Sequence, residues 1–180
     1  MLSASGALAI TDADDSDNPV SFADVAATAG DNSYGSFALV SGTWTYALNN
    51  AAVQGLDAGQ VVQDTHTFTA SDGSTQMVTV TITGAEDASV ITGTFTGAVS
   101  EDNVLTATGS LAITDVDAND NPVSFADVAA TNGDNNYGTF ALQGGVWTYT
   151  LNNAAVQNLD AGQTVQDTHT FTATNGAMQT

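Results

Sequence analysis

Two short acidic runs carry the most chemistry in this chain. Asp12-Ala13-Asp14-Asp15-Ser16-Asp17 recurs as Asp115-Val116-Asp117-Ala118-Asn119-Asp120, each time just ahead of an Asn-Pro pair. Carboxylates at alternating positions, with no His or Cys beside them, offer oxygen donors only. Such a set suits a hard cation, and calcium takes six to eight oxygens. Zinc and copper favour nitrogen and sulfur and fit poorly. An EF-hand loop also begins D-x-D-x-[DN]. Its sixth position, however, falls here on Asp17 or Asp120 rather than Gly, and its twelfth on Ala23 or Ala126 rather than Glu. The glycine-rich nonapeptide of calcium-binding β-helices is absent too. The competing reading is a solvated acidic turn capped by its own Asp and Asn side chains.

Overall charge favours the cation. The chain has 180 residues, 20 acids and no Lys or Arg, for a net charge of -20. Eighteen of the acids are Asp, and the two Glu are Glu86 and Glu101. A compact state with that charge repels itself, and bound divalent ions relieve the repulsion. Further acids, Asp72, Glu86, Asp87, Glu101 and Asp102, fall in segments expected to meet at the same end of a sandwich as the two runs. With Asp12, Asp14, Asp17, Asp115, Asp117 and Asp120 they form the candidate metal set. Asp24, Asp31 and Asp64 fit no site drawn from sequence.

The same composition excludes other chemistries. Nucleic-acid binding needs cations against phosphate, and a lipid-surface anchor needs a polybasic patch. Phosphoryl transfer leans on Lys or Arg. Without Cys there is no disulfide, thiolate metal site or cysteine nucleophile. Apolar residues come in short runs, well below the roughly 18 that span a bilayer. Met1-Leu2-Ser3-Ala4 lacks the basic start of a signal peptide.

The elements that must position these acids follow from an internal repeat. Residues 1–77 align without a gap on 104–180, and 56 of the 77 pairs are identical. Trp44 returns as Trp147, Tyr46 as Tyr149 and His66 as His169. A period of about 100 residues suits an immunoglobulin-sized module rather than a solenoid turn. Copy 1 has no counterpart of 85–103 and copy 2 none of 78–84, so the chain reads as a window on a longer array. The expected division is 1–84, a linker at 85–89, and 90–180. Strand signals dominate. Val78, Val80 and Ile82 alternate with Thr, Phe37 and Leu39 share a face, and so do Trp44, Tyr46 and Leu48. Val90–Val99 and Leu105–Thr114 read as further strands, and Asn50–Leu56 as a turn or two of helix. Short strands with regular turn signals predict an all-β chain built of sandwiches.

The module resembles the VCBS repeat of very large bacterial surface and secreted proteins, many of them RTX-type adhesins. The residues that carry the resemblance are SEDNVLTATGSLAITDVDANDNP (100–122), NNYGTFALQGGVWTYTLNNAAVQNLDAG (135–162), DTHTFTATNG (167–176) and TVTITGAEDA (79–88). It covers essentially the whole chain. It implies tandem Ig-like or cadherin-like β-sandwich modules and a stalk or adhesion role, secreted or at the bacterial surface, with export directed from outside this segment. The implied partners are neighbouring modules, and a host-cell, biofilm or glycan receptor reached through other domains. A more distant similarity to cadherin repeats implies calcium at module junctions. There Asp115 and Asp117 match the D-x-D, Glu86 and Asp87 the linker acids, and Asp57 the Asp of the upstream module. The pattern departs at Gln60 and Gln163, where an acid is expected, and at Asn175, which replaces the Asp found at Asp72.

Other functions have thinner support. His66 and His169 are the sole candidate bases, and both share strand parity with a Phe, which reads as packing. No nucleophile elbow is present. Paired carboxylates for glycoside hydrolysis lack a cleft. The alternative function is a calcium-dependent carbohydrate- or protein-binding module, with Tyr34 and Tyr137 in Asp-Asn-x-Tyr-Gly turns as the residues to watch.

Overall fold

The structure, a computed structural model, describes residues 2–14 and 19–180. The chain is all-β and divides into two compact units, Met1–Asp87 and Ala88–Thr180. The division falls within the stretch 85–89.

In the first unit, β1 (Ser3–Ala7), β2 (Val25–Ala29), β3 (Gly35–Val40) and β4 (Thr43–Leu48) form a sheet of order β1-β4-β3-β2. A second sheet pairs β5 (Val61–Thr69) with β6 (Thr75–Thr83) over nine residues each, from Val61↔Thr83 to Thr69↔Thr75. The period-two pattern decides which side of each strand is dry. Phe37, Leu39 and Tyr46 face Phe68, Val78 and Ile82, and all are buried. The Thr residues between them stay outside. This is a β-sandwich. The expected helix at Asn50–Leu56 is a single 3-10 turn, Asn50–Ala52. Asn50–Ala52 is exposed, and Val53 and Leu56 just beyond it anchor the segment on the core.

In the second unit, β7 (Val90–Gly93), β8 (Thr106–Thr114), β9 (Val128–Asn132), β10 (Gly138–Gln143) and β11 (Val146–Leu151) form a sheet of order β7-β8-β11-β10-β9. β10 and β11 are joined by Gly144-Gly145, both at positive φ, as a two-residue hairpin with matching twist requires. Leu111, Leu142, Trp147, Tyr149 and Phe171 form the core, with Ile113, Val123 and Ala173 in a satellite cluster. The opposing sheet is reduced to β12 (Phe171–Thr172) and β13 (Met178–Gln179). Its register, Phe171↔Gln179, repeats Phe68↔Gln76 of the first unit.

One strand is shorter than sequence predicts. Val90–Val99 ends as a regular strand at Gly93, whose φ of 146° suits glycine, although the Thr94 N–H still donates to the Ser110 carbonyl of β8 at 2.9 Å. Beyond it, the Thr94 carbonyl accepts the Trp147 indole N–H at 2.6 Å. Trp147 is therefore buried, whereas Trp44, which makes no such bond among the described residues, is half-buried.

Candidate functional site

In the second unit β8 ends at Thr114 and Asp115 opens the loop that carries the acidic run. Short-range side-chain bonds shape it. Asp115 Oδ1 accepts the Asp117 N–H at 3.0 Å, and Asn121 Nδ2 donates to the carbonyls of Asp115 (3.0 Å) and Asp117 (2.8 Å). This is the Asx-type folding that Asp and Asn bring to turns. Two residues from outside the loop complete its frame. The Ser89 hydroxyl donates to Asp115 Oδ2 at 2.5 Å, and Asn175 Nδ2 donates to Ser89 Oγ. The Ser89 hydroxyl, then the Asp117 N–H, hold the Asp115 carboxyl below its ordinary range.

Asp117 is 0% exposed, while Asp115 and Asp120 are half-buried. Asp117 and Asp120 bring carboxylate oxygens within 4.8 Å of each other. The loop thus gathers oxygen donors at the end of the unit where the chain comes in through Ser89. In the first unit Asp12 and Asp14 hold the same sequence positions, and Asp12 Oδ1 accepts the Asp14 N–H at 2.7 Å. Asp17 lies outside the described residues.

The expectation that all the acids meet at one end is corrected. In the second unit Asp102 and Glu101 precede β8, whereas Asp115 follows it, nine strand residues away. They serve the opposite end: Asp102 Oδ1 accepts Asn153 Nδ2 at 2.7 Å, its N–H donates to Asn153 Oδ1, and Gln157 reaches both acids. In the first unit Asp72 sits in the β5–β6 turn, next to the segment that follows the Asp12 run, since the Ser71 N–H donates to the Ser21 carbonyl. Its carboxylate is engaged locally, accepting the Ser74 hydroxyl (2.7 Å) and N–H (2.9 Å), which hold it below its ordinary range. Asp57 lies at the other end of the unit. The Asp57 N–H meets Gln60 Oε1 at 3.2 Å, and Gly84, just ahead of Glu86 and Asp87, donates to the Gln60 carbonyl. Gln60 stands where an acid was expected and ties the turn by its amide instead.

Sequence reasoning missed a second set of acids. Asp64, on β5, is 0% exposed and accepts the N–H groups of Asn32 (2.9 Å) and Gly35 (3.0 Å) and the Tyr46 hydroxyl (3.0 Å). Asp167 does the same for Asn135, Tyr137, Gly138 and Tyr149. Burial, then the hydrogen bond and charge of Asp64, push the Tyr46 phenol well above its ordinary value; for Tyr149 the order is burial, the charge of Asp167, then the bond. A Cβ at Gly30 or Gly133 would run into these carboxylates. Asp31 and Asp134 accept from Thr65 and Thr168, and Asp24 and Asp127 from the Ser41 and Gly144 N–H groups of the hairpin turn. The available signal was parity, since Asp64 shares the inward side of β5 with His66 and Phe68.

Both imidazoles are packed between rings. His66 stacks on Phe37 at 5.8 Å and meets Phe68 edge-on at 4.8 Å, and His169 repeats this with Phe140 and Phe171. Tyr34 and Tyr137 are half-buried, and Tyr34 packs against the first core. Among the described residues, no helix is long and apolar enough to cross a membrane. The sequence matches no known family model and no curated protein.

Proposed function

We propose that the chain is a non-catalytic structural repeat, a stalk or extender segment of a large bacterial cell-surface or secreted adhesin, stiffened by calcium. The observation that carries this reading is the loop Asp115–Asn121. It buries a carboxylate, Asp117, and brings Asp120 close to it, in a chain without Lys or Arg. Charge taken out of water must be met by hydrogen bonds or a counter-charge. The two imidazoles are committed to phenylalanine rings, so a counter-cation here comes from solution.

The donors fit calcium. All are oxygens, and Asp115, Asp117 and Asp120 leave coordination places for water and for further carboxylates. Glu86 and Asp87 stand three and two residues ahead of Ser89 in the chain and enter the reading by that sequence position. Calcium held there would restrain the linker where it reaches the second unit. Two nearly identical copies of a module suit spacing better than catalysis. Outside the cell, where calcium is abundant, the array would be stiff; in a calcium-poor cytoplasm it would stay loose. The partners in this reading are neighbouring modules, with receptors engaged by other domains.

Calcium titration by calorimetry on this chain tests the reading. Saturable binding that disappears in the double variant Asp115→Ala, Asp117→Ala is the expected result. No heat of binding at millimolar calcium, with a folded protein in the cell, would sink it.

A further inference from the structure

Asn-Gly occurs twice in the chain, at Asn132-Gly133 and Asn175-Gly176. Asparagine is a thermolabile residue. A following glycine exposes it most, since the unhindered glycine backbone can bring its nitrogen onto the side-chain amide carbon. The fold treats the two pairs differently. Asn132 ends β9 opposite Thr139, and its amide bonds Asn136 Oδ1 at 3.0 Å. Gly133 is buried, its N–H donates to the Gly138 carbonyl, and a Cβ on it would run into the Asp167 carboxylate. Asn175 and Gly176 are both exposed, in the turn between β12 and β13. Apart from the chain neighbours, nothing lies within 4 Å of where a Cβ on Gly176 would stand.

The first unit shows the same turn with an acid in place, as Asp72-Gly73. Gly73 and Gly176 have φ of 88° and 89°, and their N–H groups donate to the Ala70 and Ala173 carbonyls at 3.0 Å. Asp72 Oδ1 accepts the Ser74 N–H as Asn175 Oδ1 accepts that of Ala177. An aspartate at position 175 therefore fits the turn as it stands. The other half of the Asn175 amide is spent on the acidic loop: Nδ2 donates to Ser89 Oγ, whose hydroxyl donates to Asp115 Oδ2.

We propose that Asn175 is a deamidation site, and that loss of its amide adds a carboxylate beside the loop Asp115–Asn121. The Gly176 nitrogen attacks Asn175 Cγ and gives up its proton; a C–N bond forms, the Cγ–Nδ2 bond breaks, and ammonia leaves. Water then opens the five-membered imide. Cleavage at Cγ gives aspartate, and cleavage at the main-chain carbonyl gives isoaspartate with the same added charge. The aspartate has an oxygen where Nδ2 stood, and an ionised carboxylate only accepts. The single Ser89 hydroxyl hydrogen then faces two carboxylates, which repel until a cation joins them. For calcium, this consequence rests on the function proposed above: deamidation would strengthen that site with age.

Peptide mapping by mass spectrometry, on the unaltered chain kept in warm, mildly alkaline buffer, tests the site. Amide loss is expected first at Asn175, at least about tenfold faster than at Asn132, the ratio that a difference of about 1.4 kcal/mol in local opening produces. Equal rates would overturn the proposal, as would an Asn175 amide that survives in the folded chain while both are lost in denaturant. Asn175→Asp tests the consequence. In chelator at low salt it should melt below the unaltered chain, and the deficit should shrink in an Asp115→Asn background. An equal deficit in both backgrounds, or none, would overturn the coupling to Asp115. With calcium, Asn175→Asp should bind more tightly than the unaltered chain, and equal binding would overturn the added ligand. If neither form binds calcium, the calcium reading fails, while amide loss and low-salt melting still decide the deamidation.

Discussion

Asp64 and Asp167 settle the Asp-Asn-x-Tyr-Gly turns by offering one carboxylate, buried at Asp64 and half-buried at Asp167, to several N–H groups and a tyrosine hydroxyl at once. Charge-assisted bonds of this kind are the stronger ones, and the Tyr46 hydroxyl, on a buried side chain, would be left without its acceptor. Asp64→Ala should therefore cost about 3 kcal/mol in chemical denaturation. Asp64→Asn, which keeps one carbonyl acceptor, should cost less. Tyr46 and Tyr149 supply a check at high pH. Their phenols are raised in the folded state, so what they contribute is present below the ordinary tyrosine value, about 10, and is lost as pH rises through the folded value. Their ionisation should coincide with unfolding in an absorbance titration. Asp115 and Asp72 behave in the opposite sense. Their carboxyls are lowered, so their contribution is present above about pH 4 and is lost as pH falls through the folded values. Ser89→Ala should weaken the acid sensitivity of the melting temperature, because the Ser89 hydroxyl is the largest cause of the Asp115 shift.

Strand edges decide how the two copies differ despite their near identity. Where β7 is present, Trp147 bonds the Thr94 carbonyl and the core beneath is closed. Trp147→Phe removes that bond and should cost about 1 kcal/mol, seen as faster hydrogen exchange at Leu111–Thr114. The counterpart change, Trp44→Phe, should cost less, as Trp44 makes no such bond among the described residues. The opposing sheet differs likewise. The nine-residue β5–β6 ladder buries Asp64 completely, whereas residues 163–170 form no strand, Asp167 is half-buried and Val165 is 39% exposed. Alternation of Phe, Trp, Tyr and Val with Thr made these strands readable, because burial on one face imposes a period of two. Sequence extended β7 past Gly93 since Thr94–Val99 has the right composition; the regular ladder ends at Gly93, at positive φ, and an irregular bond from the Thr94 N–H to the Ser110 carbonyl follows.

At the scale of the whole chain, charge is the dominant variable. Monovalent salt should raise the melting temperature by screening. Calcium at matched ionic strength should raise it further if the acidic loop binds it. With free calcium about 100-fold above the dissociation constant, each site adds about 2.7 kcal/mol. Equal melting curves and equal scattering profiles in calcium and in chelator would contradict the proposed stiffening. The comparison must be made at constant ionic strength, because 20 uncompensated acids respond to any cation.

Sequence alone determined the all-β class, the repeat, the inward residues and the oxygen-only character of the acidic loops, for these depend on residue type and periodicity. Tertiary structure decided which acids hold turns together and which gather in the loop Asp115–Asn121. Asp24, Asp31 and Asp64 are drawn into turns by donors that are up to 34 residues distant in the chain. Glu101 and Asp102 are separated from Asp115 by the length of β8. A carboxylate looks the same in sequence whether it faces water, an amide or a cation; only the fold brings one of these to it.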